Sequence, residues 1–206
     1  MNILVLSDSH GNISNMEEAV EREKPDMILH LGDCWRDAER LAERYPDIPM
    51  EHVPGNCDCR PEEPAEKLLF LGDCRVLICH GHTCGVKTSL LTAGLKAEQD
   101  HLDAFLFGHT HKPHLEYCED GLVVLNPGSL SYPRQDGRKP SYMLMEIDRN
   151  GEAHYTICYV DQDRDIIAVN PGSLTYPRQE GRSPSYIVMT ITDGIKQDVS
   201  FEIRYL

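Results

Sequence analysis

The chain has 206 residues, enough for one domain with a substantial core, since a chain of this size buries about 70% of the surface that its unfolded form exposes. Acidic side chains outnumber basic ones by 34 to 20 and the formal net charge is -14, which argues against a general nucleic-acid or anionic-membrane surface. No apolar run approaches the roughly 18 residues of a transmembrane helix, Asn2 to Leu6 lacks the basic region of a secretion signal, and the eight cysteines are scattered as in a reduced, cytoplasmic protein.

Asn2 to Leu6 is a continuous apolar run, the pattern of a strand buried on both faces, and Ile13 to Glu23 has helical spacing. Strand, loop and helix then recur at Asp26 to Leu31 and Trp35 to Arg44, and Pro49 to Val53 leads into the turn Pro54-Gly55. Lys67 to Leu71 and Arg75 to Cys79 predict a hairpin around the two-residue turn Gly72-Asp73. Val86 to Gln99 is a predicted helix and Ala104 to Phe107 a predicted buried strand. From about Leu115 onward, alternation and turn residues predict antiparallel strands. In that half Asn126-Pro-Gly-Ser-Leu-Ser-Tyr-Pro-Arg-Gln-Asp-Gly-Arg-Lys-Pro-Ser-Tyr142 returns 44 residues later as Asn170-Pro-Gly-Ser-Leu-Thr-Tyr-Pro-Arg-Gln-Glu-Gly-Arg-Ser-Pro-Ser-Tyr186. Two copies are too few for a solenoid. A duplicated sheet segment, 126–162 and 170–206 within a single domain 1–206, is the plainer reading.

Five motifs follow in one order: Asp8-Ser-His10, Gly32-Asp33, Gly55-Asn56-Cys57-Asp58, His80-Gly81-His82 and Gly108-His109-Thr110-His111. Each lies just past the carboxyl end of a predicted strand, where open α/β sheets place their sites. Any one of them alone reads as a polar turn after a strand. All five together supply ligands for two adjacent divalent ions. Carboxylate, imidazole and amide oxygen suit Mn, Fe, Co, Ni or Zn, and no thiolate is needed, which argues against a closed structural zinc site. Two such ions about 3.5 to 4 Å apart share a hydroxide and clamp a phosphate, giving a nucleophile at neutral pH. His30 reads as a packed neighbour of this site, and His52, His101, His114 and His154 as surface residues. Neither Cys57-Asp58-Cys59 nor the pair Cys79 and Cys84 has the spacing of a redox or zinc motif.

These five motifs, followed by Asn126-Pro-Gly-Ser129, resemble the calcineurin-like metallophosphoesterase superfamily, in particular its small prokaryotic phosphodiesterase branch, over residues 1 to about 160. The resemblance implies an α/β (α+β) fold, a four-layer α-β-β-α sandwich with a duplicated C-terminal antiparallel segment. It implies that Asp8, His10 and His111 hold one metal, that Asn56, His80 and His109 hold the other, and that Asp33 bridges them. It implies a metal-dependent phosphoesterase with two divalent ions, Mn first, that hydrolyses small soluble phosphodiesters by attack of a metal-bridging hydroxide. A phosphomonoesterase, or a non-catalytic scaffold like the retromer subunit that resembles this family, are the alternatives.

Many members of the superfamily carry a histidine, thought to protonate the leaving group, where this chain has Cys57. Sulfur is a poor hydrogen-bond donor, so Cys57 is expected to act through its backbone amide. His82 is the nearest spare imidazole and Asp58 a weaker candidate donor. Asn56, Ser129 and Arg134 are candidate substrate contacts, and Arg134 and Arg138 offer the guanidinium forks that grip phosphate. Their duplicates Arg178 and Arg182 cannot occupy the same place in one subunit. The first copy is expected to fill the usual sheet position. The second extends the sheet or pairs with another subunit's edge, giving a homo-oligomer.

Overall fold

The computed structural model describes residues 1–59, 63–119 and 121–160, and the backbone of residues 185–192 and 198–205. The chain divides into two compact units, Met1–Gln162 and Asp163–Leu206. Among the described residues no helix is long and apolar enough to cross a membrane.

In the first unit β1 (Asn2–Leu6), α1 (Ile13–Glu23), β2 (Met27–His30), α2 (Trp35–Arg44) and β3 (Met50–His52) follow one another as the sequence predicts. The hairpin β4 (Glu66–Leu71) and β5 (Cys74–Cys79) comes next, then α3 (Leu91–Asp100), β6 (Ala104–Phe107), β7 (Pro113–Tyr117), β8 (Val123–Pro127), β9 (Ser141–Ile147) and β10 (Ala153–Tyr159). Two five-stranded mixed sheets result, ordered β10-β9-β1-β2-β3 and β4-β5-β6-β8-β7. Leu71 pairs with Cys74 across Gly72-Asp73, and Gly72 takes the left-handed φ of 61° that two-residue hairpin turns require.

The central strands β1, β6 and β8 are apolar at successive positions because each faces two layers. In β1, Ile3 and Val5 point between the sheets with Leu29 and Leu31, where they meet Val76, Ile78, Ala104, Leu106 and Leu125 of the second sheet. Leu4 and Leu6 point the other way, onto Met16, Ala19 and Val20 of α1 and Leu41 of α2. The second sheet repeats this: Leu77, Cys79, Phe105 and Phe107 turn outward onto Ala93 and Ala97 of α3. The order is therefore helix, sheet, sheet, helix, a four-layer α-β-β-α sandwich. Each fully buried Leu, Ile, Val or Phe contributes about 1.5–3 kcal/mol.

Two expectations need correction. The helix predicted from Val86 begins only at Leu91. Gly85 has φ of 64°, its carbonyl accepts the N–H groups of Thr88 and Ser89, and the Ser89 hydroxyl accepts that of Leu91, so a turn occupies what spacing alone assigns to helix. The half after Leu115 is not wholly antiparallel. β8 runs antiparallel to β7 but parallel to β6, with Ala104 opposite Val123, because the long crossover through β7 returns the chain to the middle of the sheet.

The first repeat copy supplies β9, which pairs antiparallel with β1, Ile3 opposite Met145. In the second unit β11 (Ser185–Thr192) and β12 (Asp198–Tyr205) pair antiparallel, Ser185 opposite Tyr205. Residues 170–184 of the second copy, Arg178 and Arg182 among them, lie outside the described residues. The first unit carries its own core through Val160. A chain ended after Val160 is therefore expected to unfold cooperatively and to bind metal as the full chain does. Thermal unfolding and metal content check this, and an insoluble or metal-free product contradicts it.

Candidate metal centre

Every expected ligand sits just past the end of a strand, from one or the other of the two sheets. Asp8 and His10 follow β1, Asp33 follows β2, Asn56 follows β3, His80 follows β5, and His109 and His111 follow β6. Six of the nine described non-glycine residues with positive φ are found here: Asp8 (53°), His10 (43°), Asp33 (57°), Cys34 (73°), His109 (67°) and His111 (59°). Such conformations are costly for side-chain-bearing residues and gather where function holds them in place.

Asp8, His10, Asp33 and His111 each direct one ligand atom into a common space, all within 4.8 Å of one another. His111 Nδ1 is 2.8 Å from the Tyr132 carbonyl, an acceptor only, so Nδ1 carries the hydrogen. With the ring neutral, Nε2 offers a lone pair to Asp8 Oδ1 at 3.1 Å. Two acceptors thus face each other. His10 Nε2 lies close by, 3.9 Å from Asp8 Oδ1 and 3.6 Å from Asp33 Oδ2. Asp8 Oδ1 and His10 Nε2 are buried without a hydrogen bond, a costly condition that a divalent cation relieves. The donor set fits a borderline metal.

A second group of acceptors adjoins the first through Asp33. His80 Nδ1 donates to the Leu31 carbonyl at 2.7 Å, which leaves Nε2 facing Asn56 Oδ1 at 3.2 Å and Asp33 Oδ1 at 3.3 Å. His109 lies beside it, the rings 5.0 Å apart. Burial, then the charges of His80 and Lys87, push the His109 pKa down to about 4, so its ring is neutral at pH 7. The other oxygen of Asp8, Oδ2, is held by the Ser7 hydroxyl at 2.7 Å and the His109 N–H at 3.1 Å.

Other expected residues take different places. The Cys57 N–H donates to Asp33 Oδ1 at 3.0 Å, so that amide orients the shared carboxylate. Burial and Asp33 push the Cys57 thiol up to about 11, which keeps it protonated. Asp58 accepts three backbone N–H groups, from Cys34 (2.9 Å), Trp35 (3.2 Å) and Gly55 (2.7 Å). It caps α2, whose own N-cap Cys34 makes no side-chain bond, and ties that helix to the Asn56 loop. Ser129, expected at the substrate, is fully buried. Its hydroxyl donates to the Asp8 carbonyl at 2.9 Å and accepts the Tyr132 N–H at 2.9 Å. His82 lies 5.5 Å from His80, ring to ring; burial, then His80, lower its pKa.

Arg134 donates its backbone N–H to the His111 carbonyl at 2.9 Å. Its side chain and that of Arg138 line an open cavity with Ser131, Tyr132 and Pro133.

Several supports are not visible from local sequence. Asp37 Oδ2 accepts the Ser9 hydroxyl at 2.8 Å and the Gly11 N–H at 2.7 Å, which holds the Asp8–Gly11 loop from 26 to 28 residues away. Asn126 Nδ2 donates to the Gly108 carbonyl at 2.6 Å and to Thr110 Oγ1 at 3.0 Å. His30 is the packed neighbour expected: Gly32 N–H donates to its Nδ1 (3.3 Å), and its Nε2–H reaches Ser9 Oγ (3.2 Å). Complete burial pushes its pKa down from 6.5 to about 4. As pH falls below 6.5 the unfolded chain takes up a proton that the folded chain refuses until about pH 4. Stability is expected to fall by about 3 kcal/mol across that window on account of this group, at about 1.4 kcal/mol per pH unit. An NMR titration of His30 checks this, and a midpoint near 6.5 contradicts it.

Comparison with known proteins agrees with this geometry. The calcineurin-like phosphoesterase superfamily domain matches residues 1–150. The chain is 33% identical over 165 residues to the probable metallophosphoesterase YsnB of Bacillus subtilis, covering 79% of this chain and 92% of that protein. It is 26% identical over 150 residues to the phosphodiesterase MJ0936 of Methanocaldococcus jannaschii, covering 62% and 83%. The crystal structure of a predicted phosphoesterase from Streptococcus pneumoniae superposes with a TM-score of 0.63 at 28% identity, covering 77% of this chain and 97% of that one. With a matching domain over most of its length and a candidate metal site at the expected strand ends, the chain belongs to the calcineurin-like phosphoesterase superfamily.

Proposed function

We propose that the chain is a dinuclear metal-dependent phosphodiesterase that hydrolyses small soluble phosphodiesters, with manganese as its first metal. The observation that carries this reading is Asp33, whose two oxygens face two sets of acceptors, His10 on one side and His80 on the other. Asp8, His10, Asp33 and His111 would hold one ion, and Asp33, Asn56, His80 and His109 the second. Two ions so placed supply Lewis acidity and an activated water at neutral pH.

The chain's own residues fix the geometry. The Cys57 amide holds Asp33. The Leu31 and Tyr132 carbonyls fix the tautomers of His80 and His111, as the partners of ligating histidines do elsewhere. His82, kept neutral by burial, is a hydrogen-bond donor for a phosphoryl or leaving oxygen and a weak acid. Leaving groups that depart without protonation should therefore react best. The similarity to a named phosphodiesterase supports diesters over monoesters.

The test is side-by-side hydrolysis of bis(4-nitrophenyl) phosphate and 4-nitrophenyl phosphate by metal-stripped protein refilled with Mn, Ni, Fe, Co or Zn. Faster diester turnover, greatest with Mn, is expected. Faster monoester turnover would make the protein a phosphatase, and no turnover with any metal would make it a scaffold.

A further inference from the structure

The loop after Ser129 hangs from the metal-facing residues at four points. Ser131 donates its hydroxyl to the Ser9 carbonyl, and the Tyr132 carbonyl accepts from His111 Nδ1. The Arg134 N–H reaches the His111 carbonyl, and the Tyr132 ring lies 5.1 Å from that of His10. What the loop presents beyond those anchors is an open cavity of about 610 Å³ lined by Ser131, Tyr132, Pro133, Arg134 and Arg138. The Tyr132 side is 60% exposed, and both arginines are exposed. Among the described residues neither arginine meets a carboxylate within ion-pair distance, whereas Arg22, Arg44, Lys67 and Lys96 all meet glutamates.

The repeat adds an independent observation. From Asn126 to Tyr142 the two copies differ at only three positions, Ser131/Thr175, Asp136/Glu180 and Lys139/Ser183. Across the hairpin that follows, at the same offset, only Met145/Met189 and Ile147/Ile191 agree from 143 to 160. The hairpin has diverged where only apolar alternation is needed. The loop has kept its tyrosine and both arginines, which in the first copy are exposed.

We propose that this cavity is a specificity subsite for a second phosphate, and that the substrate is a nucleotide-type phosphodiester bearing a phosphate outside the scissile linkage. This rests on the phosphodiesterase reading above. Arg134 and Arg138 grip the second phosphate, because guanidinium forks bind phosphate oxygens bidentately. Tyr132 offers its ring face to the base, next to the His10 side of the metal centre. In a chain of charge -14, this local cationic wall offsets repulsion of a multiply charged substrate that the metals alone would have to overcome.

The test is calorimetric binding of adenosine 3′,5′-bisphosphate and adenosine 5′-monophosphate to the Mn-loaded full chain. The wild type should prefer the bisphosphate by about tenfold or more, the worth of added charge-assisted hydrogen bonds. The double variant Arg134→Gln, Arg138→Gln should lose that preference, Tyr132→Leu should weaken both nucleotides, and Tyr132→Phe should bind as the wild type does. No bisphosphate preference in the wild type, or its survival in the double variant, overturns the subsite. Wild-type turnover of bis(4-nitrophenyl) phosphate, measured alongside, reports separately on the phosphodiesterase reading. Its loss with the bisphosphate preference intact would strike that reading and leave the subsite standing.

Discussion

Replacing Asp33 by asparagine is expected to lower phosphodiester turnover by about 10³-fold or more and to reduce the bound metal from two ions per chain to one or none. Asp33 is 2% exposed and sits between His10 and His80 at 3.6 and 3.3 Å. An amide keeps the size of the side chain but replaces one acceptor oxygen with a donor, which points hydrogens at a cation on one side. It also removes the negative charge that offsets part of the repulsion between two dications. A metal contributes several kcal/mol of charge stabilisation in the transition state, and each 1.4 kcal/mol or so is a factor of ten in rate. Steady-state kinetics with metal analysis on the same samples decide the matter. Full activity in this variant would refute the shared-carboxylate assignment.

The second large effect comes from a residue with no side chain. Gly55 passes so close to Asp33 that a Cβ would lie 2.2 Å from Asp33 Oδ1 and 2.4 Å from its backbone nitrogen. Atoms do not approach that closely, and the backbone side cannot yield by a rotamer change. Gly55→Ala must therefore move either Asp33 or the loop carrying Asn56, although it removes no ligand and no charge. Misplacement by about 1 Å costs about 100-fold in rate, so a loss of at least that size is expected, with weaker metal binding and an intact far-ultraviolet circular dichroism spectrum. A variant with wild-type metal affinity would show that this close approach is not what places Asp33.

The layers of the sandwich and the strand ends that carry the ligands were legible because their causes are local. Ile3 to Leu6 must satisfy two apolar layers at once, so the run is continuous, and the polar residues that follow have no place in the core. Asp8, His10 and His111 could be grouped from sequence because their spacing repeats a known pattern. What fixes them could not. Asp37 reaches Ser9 and Gly11 across 26 to 28 residues, and Ser129 reaches the Asp8 carbonyl across 121. Such bonds follow from the closed fold alone. The displaced start of α3 has a different cause, since Val86 fits the helical spacing while Gly85 and Ser89 form a turn that periodicity does not register. Asp58 read as a possible acid because its chemistry allows it. Its two oxygens are bound by three amides, a use that one-dimensional reasoning does not reveal.

If Asp33 joins two metal sites in one chain, the number and separation of the bound ions will show it. Protein stripped of metal and titrated with Mn²⁺ should take up two ions per chain, and their electron paramagnetic resonance should show the exchange coupling of ions about 3.5 to 4 Å apart. A single ion per chain at saturation, or two ions without coupling, would contradict it.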